Sequence, residues 1–437
     1  MNKIIDFNSL LSSVQNHIST HYSAVLNEEN KGEELKEYIK KFIRDFDYEV
    51  EGYDFDTLVS RIYSEMAEYS VLTPYLKQDN VEEINVNAWN DIAITYNNGK
   101  IKKLRKHFFS PKHATDIIKR LLHHSGMILD NATPTAQGHL PNNTRITALK
   151  SPIVDDDVGV STSIRRLNPS RVNKEQLIKS GNVTEKMFDF IAMCMRYGVS
   201  TVVSGATSSG KTTLLNALLK TIPDKKRIYT IESGARELSL IKKDEQGNII
   251  NNVVHTLSRP SEKDEYNITQ EDLVVLALRF NPDIICVGEM RDVECYSAVE
   301  ASLTGHTVVS TVHSYAADSA HTRIALLCQK RFPIDFNTSL MQAGQAFPIV
   351  VYTHKLENNE RKIMDISECE ILPNGERKYH ALYSYTITRN EIKNGKFVTD
   401  GYFSQPEIMS ESLQKKLLQF GVPYDELKKF LKKGADY

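Results

Sequence analysis

The sequence predicts an α/β protein whose larger domain is a parallel sheet covered by helices on both faces. One observation behind this prediction is the alternation of short β-branched runs with helical runs between residues 201 and 312. A second is a glycine-rich run, 205–212, that separates one of these strands from the next helix. A third is an upstream segment whose short alternating runs indicate strands of a smaller domain.

Residues 1–55 form the first predicted segment, a helical and charged extension. Its apolar residues recur at the spacing of one helical stripe, at Ile4, Phe7, Leu11, Val14, Ile18, Tyr22 and Val25. Such a stripe either packs on the protein's own body or docks on a partner protein, and the sequence leaves both open. Membrane-surface binding is disfavoured because the opposite face carries little Lys or Arg.

Residues 56–167 form the second predicted segment, a smaller α/β domain. VEEINVN and DIAITYNNGK predict two strands, and a helix is expected around 111–122. A turn-rich run is expected over 132–144, followed by strands in RITAL and GVSTSIRRL. The dipeptide Asn168-Pro169 then predicts a linker to the larger domain, 168–385, which is followed by a helical tail over 386–437.

The composition excludes some classes of function. The formal net charge is −2, whereas a protein that grips DNA without sequence preference usually carries a basic excess, so no nucleic-acid partner is expected. The 5 cysteines include no C-x-x-C pair, which favours reduced thiols in a cytoplasmic protein. No signal peptide and no run of ~20 apolar residues is apparent, so membrane contact is expected only through partners.

The glycine-rich run fits the pattern G-x-x-x-x-G-K-[ST] between a strand and a helix. Its glycines let the backbone fold around an anion, and its N–H groups and the helix N-terminus attract phosphate. Lys211 is predicted to neutralise the β- and γ-phosphates and Thr212 to hold Mg²⁺. The sequence thus predicts an ATP and Mg²⁺ site formed by Gly205, Ala206, Thr207, Ser208, Ser209, Gly210, Lys211, Thr212 and Thr213.

Acidic and imidazole side chains stand next to the other strands of this domain. Because ligands bind beyond the carboxyl ends of parallel strands, these residues are expected at the phosphate edge, namely Glu232, Glu237, Glu289, His306 and His313. A carboxylate can orient a water for attack on the γ-phosphate, and a second acid can hold Mg²⁺ through its waters. Glu289 ends an apolar strand and is predicted as a catalytic and metal-binding residue. The alternatives are a solvated acid and, for His306, a structural histidine.

Together, the segments GATSSGKTT, TIES…EL, LALRFNPDIICVGEMRD and TGHTVVSTVHS resemble the secretion ATPases of type II and type IV secretion systems and type IV pili. Segments upstream and downstream of these motifs look most like the CpaF-like branch, whose members power tight-adherence (Flp) pili. The upstream segments are VLTPYL…VEEINVN, LPNNTRITAL and TSIRR, and the downstream segment is FPIVVYTHKL…RKIMDISECE. This resemblance covers roughly residues 56–385. It implies a RecA-like P-loop ATPase domain preceded by a smaller α/β domain, and hexamers at the cytoplasmic face of the inner membrane that act on a platform protein.

The resemblance also implies individual roles. Arg145 and Arg165 are expected to reach the phosphates from the smaller domain, and His306 belongs to the family's His box. The family's acidic box usually continues Glu-Asp, whereas Ser233 follows Glu232 here, and the run before Glu237 is one residue longer. This leaves open which of Glu232 and Glu237 is the water-activating base; we favour Glu232.

Two other classes of function compete with a secretion or pilus motor. RecA-like motors include nucleic-acid translocases, which the neutral charge and the missing basic-aromatic channel disfavour. The other is a nucleotide-dependent regulator with weak hydrolysis, which the set of acids at the strand ends disfavours. Within the motor class, the sequence leaves pilus assembly, secretion and conjugation open.

Overall fold

The computed structural model describes residues 3–21, 32–123, 125–140, 144–166, 172–259 and 264–432. The chain divides into two compact units, 1–167 and 168–437. The predicted linker dipeptide Asn168-Pro169 lies outside the described residues, as do Tyr22 and Val25 of the predicted N-terminal stripe.

The first unit combines helices at its start with a sheet that follows them. Its elements are β1 (Lys3–Ile4), α1 (Phe7–His21), α2 (Gly32–Asp45), β2 (Tyr48–Glu49), α3 (Phe55–Ala67), α4 (Thr73–Leu76), β3 (Val81–Ala88), β4 (Asp91–Tyr96), β5 (Ile101–Lys103), α5 (Pro111–His123), β6 (Thr135–Leu140), β7 (Thr144–Lys150) and β8 (Val160–Arg166).

The N-terminal helices pack on the protein's own body. Leu11, Val14 and Ile18 of α1 are buried in one apolar core with residues of α2 and α3. This confirms self-packing for these members of the predicted stripe, whereas Ile4 is exposed. Because α3 contributes Leu58 to the same core, this core continues past the predicted boundary at residue 55.

Among the described residues, the sheet of the first unit has six strands in the order β5-β4-β3-β8-β7-β6, and all of their pairs are antiparallel. Helix α5 buries Ile117 and Leu121 in the core that this sheet forms. The prediction of a turn-rich run over 132–144 is corrected, because Thr135–Leu140 is a strand that pairs with β7. Its strand pattern was hidden by the small and polar residues Thr135, Gln137 and Gly138.

The second unit contains the predicted alternation of strands and helices. Its elements are α6 (Lys174–Lys179), α7 (Glu185–Arg196), β9 (Thr201–Gly205), α8 (Lys211–Leu219), β10 (Ile228–Glu232), β11 (Val253–Leu257), α9 (Gln270–Ala277), β12 (Ile284–Met290), α10 (Glu294–Leu303), β13 (Thr307–Val312), α11 (Ala317–Gln329), α12 (Phe336–Ala346), β14 (Ile349–Lys355), β15 (Arg361–Ile371), β16 (Arg377–Lys393), β17 (Lys396–Ser404), α13 (Glu411–Gln419) and α14 (Tyr424–Lys428).

Six neighbouring strands of this unit, in the order β11-β10-β12-β13-β9-β14, are parallel. Successive residues of β9 lie in different apolar cores. Val203 lies in the core with α7 and α8, and Val202 lies in the core with α9 and α10. Helices therefore cover both faces of a parallel sheet. The predicted RecA-like P-loop fold class is confirmed.

An antiparallel extension continues the same sheet through β15, β16 and β17. The prediction of a helical tail over 386–437 is therefore corrected: its first part belongs to the hairpin of β16 and β17. Asn394 and Gly395 make the tight turn of this hairpin with φ values of 50° and 71°, as two-residue hairpin turns require. In the described part of this tail, which ends at residue 432, only α13 and α14 are helical, and their Leu413 and Leu427 are buried in the core with α7 and α8.

Two further expectations concern the whole chain. All 5 cysteines are buried and none forms a disulfide. Across the described part of the chain, every helix is too short or too polar to span a bilayer.

Candidate functional site

The predicted phosphate cradle lies where β9 ends and α8 begins. Three of its residues have left-handed or otherwise unusual backbone, with φ of 152° at Gly205, 63° at Ser208 and 95° at Gly210. A Cβ built on Gly205 would lie 2.3 Å from the carbonyl oxygen of Thr353 on β14, so only glycine fits there. The glycines of the motif thus serve both the turn and its close approach to the neighbouring strand.

Lys211 is the first residue of α8 and is buried. Its Nζ donates to the carbonyl oxygens of Gly205, at 2.9 Å, and Ala206, at 2.8 Å, so the ammonium lies over the loop. The helix N-terminus adds partial positive charge at the same place. Thr212 and Thr213 follow in the first turn and are half-buried. The Lys211 ammonium and the N-terminus of α8 therefore place positive charge at one loop, as an anion site requires.

His313 joins Lys211 to Glu289 across the ends of two neighbouring strands. Its Nδ1 lies 3.4 Å from Nζ of Lys211, and its Nε2 lies 2.8 Å from Oε1 of Glu289. Because an ammonium can only donate, Nδ1 accepts and Nε2–H donates to the carboxylate. This hydrogen bond holds the pKa of Glu289 below its usual value against the effect of burial, and Arg291 and Lys211 also lower it. Glu289 is thus kept ionised beside the cradle.

Glu232 ends β10 and is buried, with 4% of its surface exposed. Its Oε1 accepts hydrogen bonds from the backbone N–H groups of Glu237, at 2.6 Å, and Leu238, at 2.9 Å. Within the described residues, Oε2 is buried without a hydrogen-bond partner. Burial raises the pKa of Glu232 to about 7, although the two N–H groups oppose this rise. The carboxyl therefore anchors the following loop through two hydrogen bonds. Its pKa lies near neutral pH.

Ser233 occupies the position where the secretion ATPases that this sequence resembles usually have Asp. Its side chain contacts the turn that follows β12. Nη2 of Arg291 donates to the Ser233 hydroxyl at 3.1 Å. The backbone N–H groups of Arg291 and Asp292 donate to Oε1 of buried Glu294, at 2.7 and 2.9 Å. The Arg291–Ser233 hydrogen bond links the turn after β12 to the loop after β10, and the hydrogen bonds to Glu294 stabilise the turn itself.

His306 is not at the phosphate edge of this chain's sheet. It precedes β13, which runs parallel to β9, so it lies at the amino end of the strands, whereas the cradle follows their carboxyl ends. The expectation that both histidines meet at the phosphates is therefore corrected. The error arose because His306 and His313 were treated alike, although the whole of β13 separates them.

Arg145 and Arg165 both lie in the sheet of the first unit. They are direct partners in the antiparallel register of β7 and β8, so their side chains share one face of this sheet. Like charges opposite each other are unfavourable unless something compensates them. Glu83 of β3 is the register partner of Arg165 on the other side and supplies one such charge. The structure thus brings the two predicted arginines together.

Two residues that contact the cradle were missing from the predicted site. His313 was expected at this edge but was given no role there, whereas it bridges Lys211 and Glu289. Thr353 of β14 and Arg361 of β15 contact the loop through Ser209 and Ser208. The position of His313 after an apolar strand was a usable signal. Nothing in the sequence indicated that β14 pairs with β9 and that β15 follows β14 in the sheet.

The residues present fit a magnesium ion held mainly by phosphates and water. The Thr212 hydroxyl and the ionised Glu289 carboxylate are oxygen ligands of the kind Mg²⁺ prefers. No cluster of three or more His, Cys, Asp or Glu side chains suited to a metal occurs in the described ranges.

Comparisons with known proteins identify the family. The family model described as type II/IV secretion system protein matches residues 65–369. The chain is 33% identical to the uncharacterized protein MJ0900 of Methanocaldococcus jannaschii over 199 residues, which cover 46% of this chain and 34% of that protein. It is 32% identical to the type IV secretion system protein PtlH of Bordetella pertussis over 192 residues, which cover 42% of this chain and 54% of that protein.

A putative conjugal transfer protein of Mycobacterium tuberculosis, MT3759, is 27% identical over 264 residues, which cover 58% of this chain and 71% of that protein. The chain therefore spans about a third of the length of MJ0900 and about half of PtlH.

Two solved structures are also similar. The VirB11 ATPase of the Brucella suis type IV secretion system is 20% identical, with a TM-score of 0.36, and covers 68% of this chain and 92% of its own. The pilus retraction motor PilT with bound ADP is 18% identical, with a TM-score of 0.46, and covers 80% of this chain and 86% of its own. Because the family model matches most of the sequence, the chain belongs to the type II/IV secretion system protein family.

Proposed function

We propose that this protein is a Mg²⁺-dependent ATPase that works as a homo-hexameric motor at the cytoplasmic face of the inner membrane. Its work would be to drive a membrane platform protein of a pilus or secretion system. The observation that carries this proposal is the linked set of Lys211, His313 and Glu289 beside the loop Gly205–Gly210. One relative, PtlH, is named a type IV secretion system protein, and this name supports a role in secretion.

Within the proposed reaction, the loop amides and Lys211 bind the triphosphate. Bound Mg²⁺ would neutralise phosphate charge, and Thr212 and Glu289 are the residues that would hold it. Glu232 is proposed as the base that orients the attacking water, and Arg145 and Arg165 as cations that stabilise charge on the transferred phosphoryl group. His306 is left out of this reaction because it lies at the other end of β13.

Glu289→Gln should still bind ATP but should hydrolyse it about 100- to 1,000-fold more slowly, because the substitution removes a charge that acts on the reacting centre. The measurement is the steady-state hydrolysis rate together with the dissociation constant for ATP. Glu245→Gln, at an exposed loop position, is the matched control and should behave as wild type. Loss of ATP binding in Glu289→Gln would contradict the assigned role.

The rate of hydrolysis should rise with pH through about 7, because a base must be ionised and burial raises the pKa of Glu232 to about 7. Glu237 and Arg236 act on this carboxyl from its own loop, and the Cys286 thiol faces it from β12. Glu232→Gln should remove most of the turnover. Glu237→Gln should keep the turnover and move the rise in rate to slightly lower pH, because the Glu237 charge raises the pKa of Glu232. The reverse result would identify Glu237 as the base.

Two narrower assignments stay predictions. The CpaF-like branch rests on the flanking segments of the sequence, and measuring tight-adherence pili after deletion of the gene checks it. A conjugation role is the second candidate, because MT3759 is named a putative conjugal transfer protein. Stimulation of hydrolysis by DNA would favour a nucleic-acid translocase, whereas recovery of a membrane platform protein in a pull-down from the native cell would favour the motor.

A further inference from the structure

The phosphate loop is held from the side of β14 and β15 as well as from the side of β13. Arg361, the first residue of β15, donates from its Nε to the carbonyl oxygen of Ser208 at 3.0 Å. Its aliphatic part lies against the loop, because a Cβ built on Gly210 would be 3.1 Å from Cδ of Arg361. One side chain from a distant part of the sequence therefore contacts two residues of the cradle.

Thr353 of β14 adds a second contact on the same side. Its hydroxyl lies 2.9 Å from the hydroxyl of Ser209 and 3.2 Å from the carbonyl oxygen of Ser204. In the sheet, β9 lies between β13 and β14, and β15 follows β14. Glu289, His313 and Lys211 are connected on the β13 side, so Arg361 and Thr353 hold the opposite side of the loop.

The conformation of Ser208 explains why the contacts of Arg361 and Thr353 would stabilise the loop. Ser208 has a φ of 63°, which is unfavourable for a residue with a Cβ. A loop that turns its N–H groups toward an anion directs carbonyl groups elsewhere, and these need donors of their own. A guanidinium is a strong donor to such a carbonyl because the hydrogen bond is charge-assisted. Fixing the loop before binding reduces the ordering cost that a ligand must overcome.

We propose that Arg361 is a positioning residue that holds Ser208 and Gly210 in the phosphate-binding conformation, so that nucleotide affinity depends on it. The inference rests on the proposed nucleotide binding and adds a residue that acts through the loop. Arg361 is the first residue of the antiparallel extension of the sheet, so nucleotide affinity would depend on this part of the chain. The extension continues from β15 into the long hairpin of β16 and β17.

The experiment measures the affinity of the full chain for MgADP and for inorganic pyrophosphate at low and high salt. Arg361→Ala should weaken both ligands by a similar factor, about 10- to 100-fold, because both use the same loop amides. The factor should change little with salt, since a side chain that acts through loop geometry is not a screened ion pair with the ligand. Arg361→Lys should recover part of the affinity. Arg389→Ala, on exposed β16, is the matched control.

Several outcomes would overturn the inference. Unchanged affinity in Arg361→Ala would do so, and so would a loss limited to MgADP, which would place the arginine against the base or ribose. A loss that disappears at high salt would mean a direct ion pair with phosphate. A large drop in melting temperature, with affinity normal at low temperature, would mean a purely structural role. If the wild type itself bound neither ligand, the proposed function would fail instead.

Discussion

Lys211→Ala is expected to abolish ATP hydrolysis and to weaken MgATP binding strongly. The ammonium is buried at the N-terminus of α8 and lies over the loop, so its charge faces the place where phosphates would bind. Removing one donor from a preorganised site typically costs about 100- to 1,000-fold in rate, and here binding is lost as well. The measurements are steady-state hydrolysis and titration with MgATP.

Lys220→Ala is the matched control, because Lys220 stands at the other end of the same helix. It should keep wild-type turnover. The melting temperature of Lys211→Ala should stay close to that of the wild type, which would show that the loss is not unfolding. Wild-type turnover in Lys211→Ala would refute the assignment of the loop as the phosphate cradle.

Arg165→Ala should reduce turnover by about 10³- to 10⁵-fold, the range seen when a transition-state arginine is removed, and should change ATP affinity far less. Arg165 and Arg145 are register partners on one face of the sheet of the first unit. Glu83 is the register partner of Arg165 alone, so the pair of arginines keeps a local excess of positive charge that suits a highly charged anion. Comparing the turnover number with the ATP dissociation constant checks the prediction.

The doublet Arg165-Arg166 supplies its own control. Nη1 of Arg166 donates to the carbonyl oxygen of Gln78 at 2.6 Å, and Nη2 lies 3.2 Å from a carboxylate oxygen of Asp79. Arg166→Ala should therefore affect the stability of the first unit and leave the turnover of the folded protein nearly unchanged. An unchanged rate in Arg165→Ala, or an equal loss in both variants, would remove Arg165 from the reaction.

Much of the second unit follows from local patterns in the sequence. The alternation of strands and helices determines a parallel sheet because each crossover needs a covering helix. The cradle was predictable residue by residue because its parts are contiguous from Gly205 to Thr213 and their chemistry is carried by the backbone. Glu289 was expected at the same edge because it follows an apolar run, and the residue lies next to last in β12, within hydrogen-bond distance of His313.

Contacts between distant segments were not predictable in the same way. Thr353 and Arg361 reach the loop because β14 lies next to β9 and β15 lies next to β14, and no local sequence pattern specifies this strand order. The hairpin of β16 and β17 was missed because much of it is exposed, so no apolar alternation marks it. The hydrogen bonds to the buried Glu232 carboxyl come from the amides of Glu237 and Leu238, which only the folded loop brings to it.

Calorimetric titration of the purified full chain with ADP, in the presence and absence of Mg²⁺, tests the central claim most directly. The account predicts saturable binding that Mg²⁺ strengthens and that Lys211→Ala eliminates. Absence of magnesium-dependent affinity for adenine nucleotides in a folded wild-type protein would contradict it.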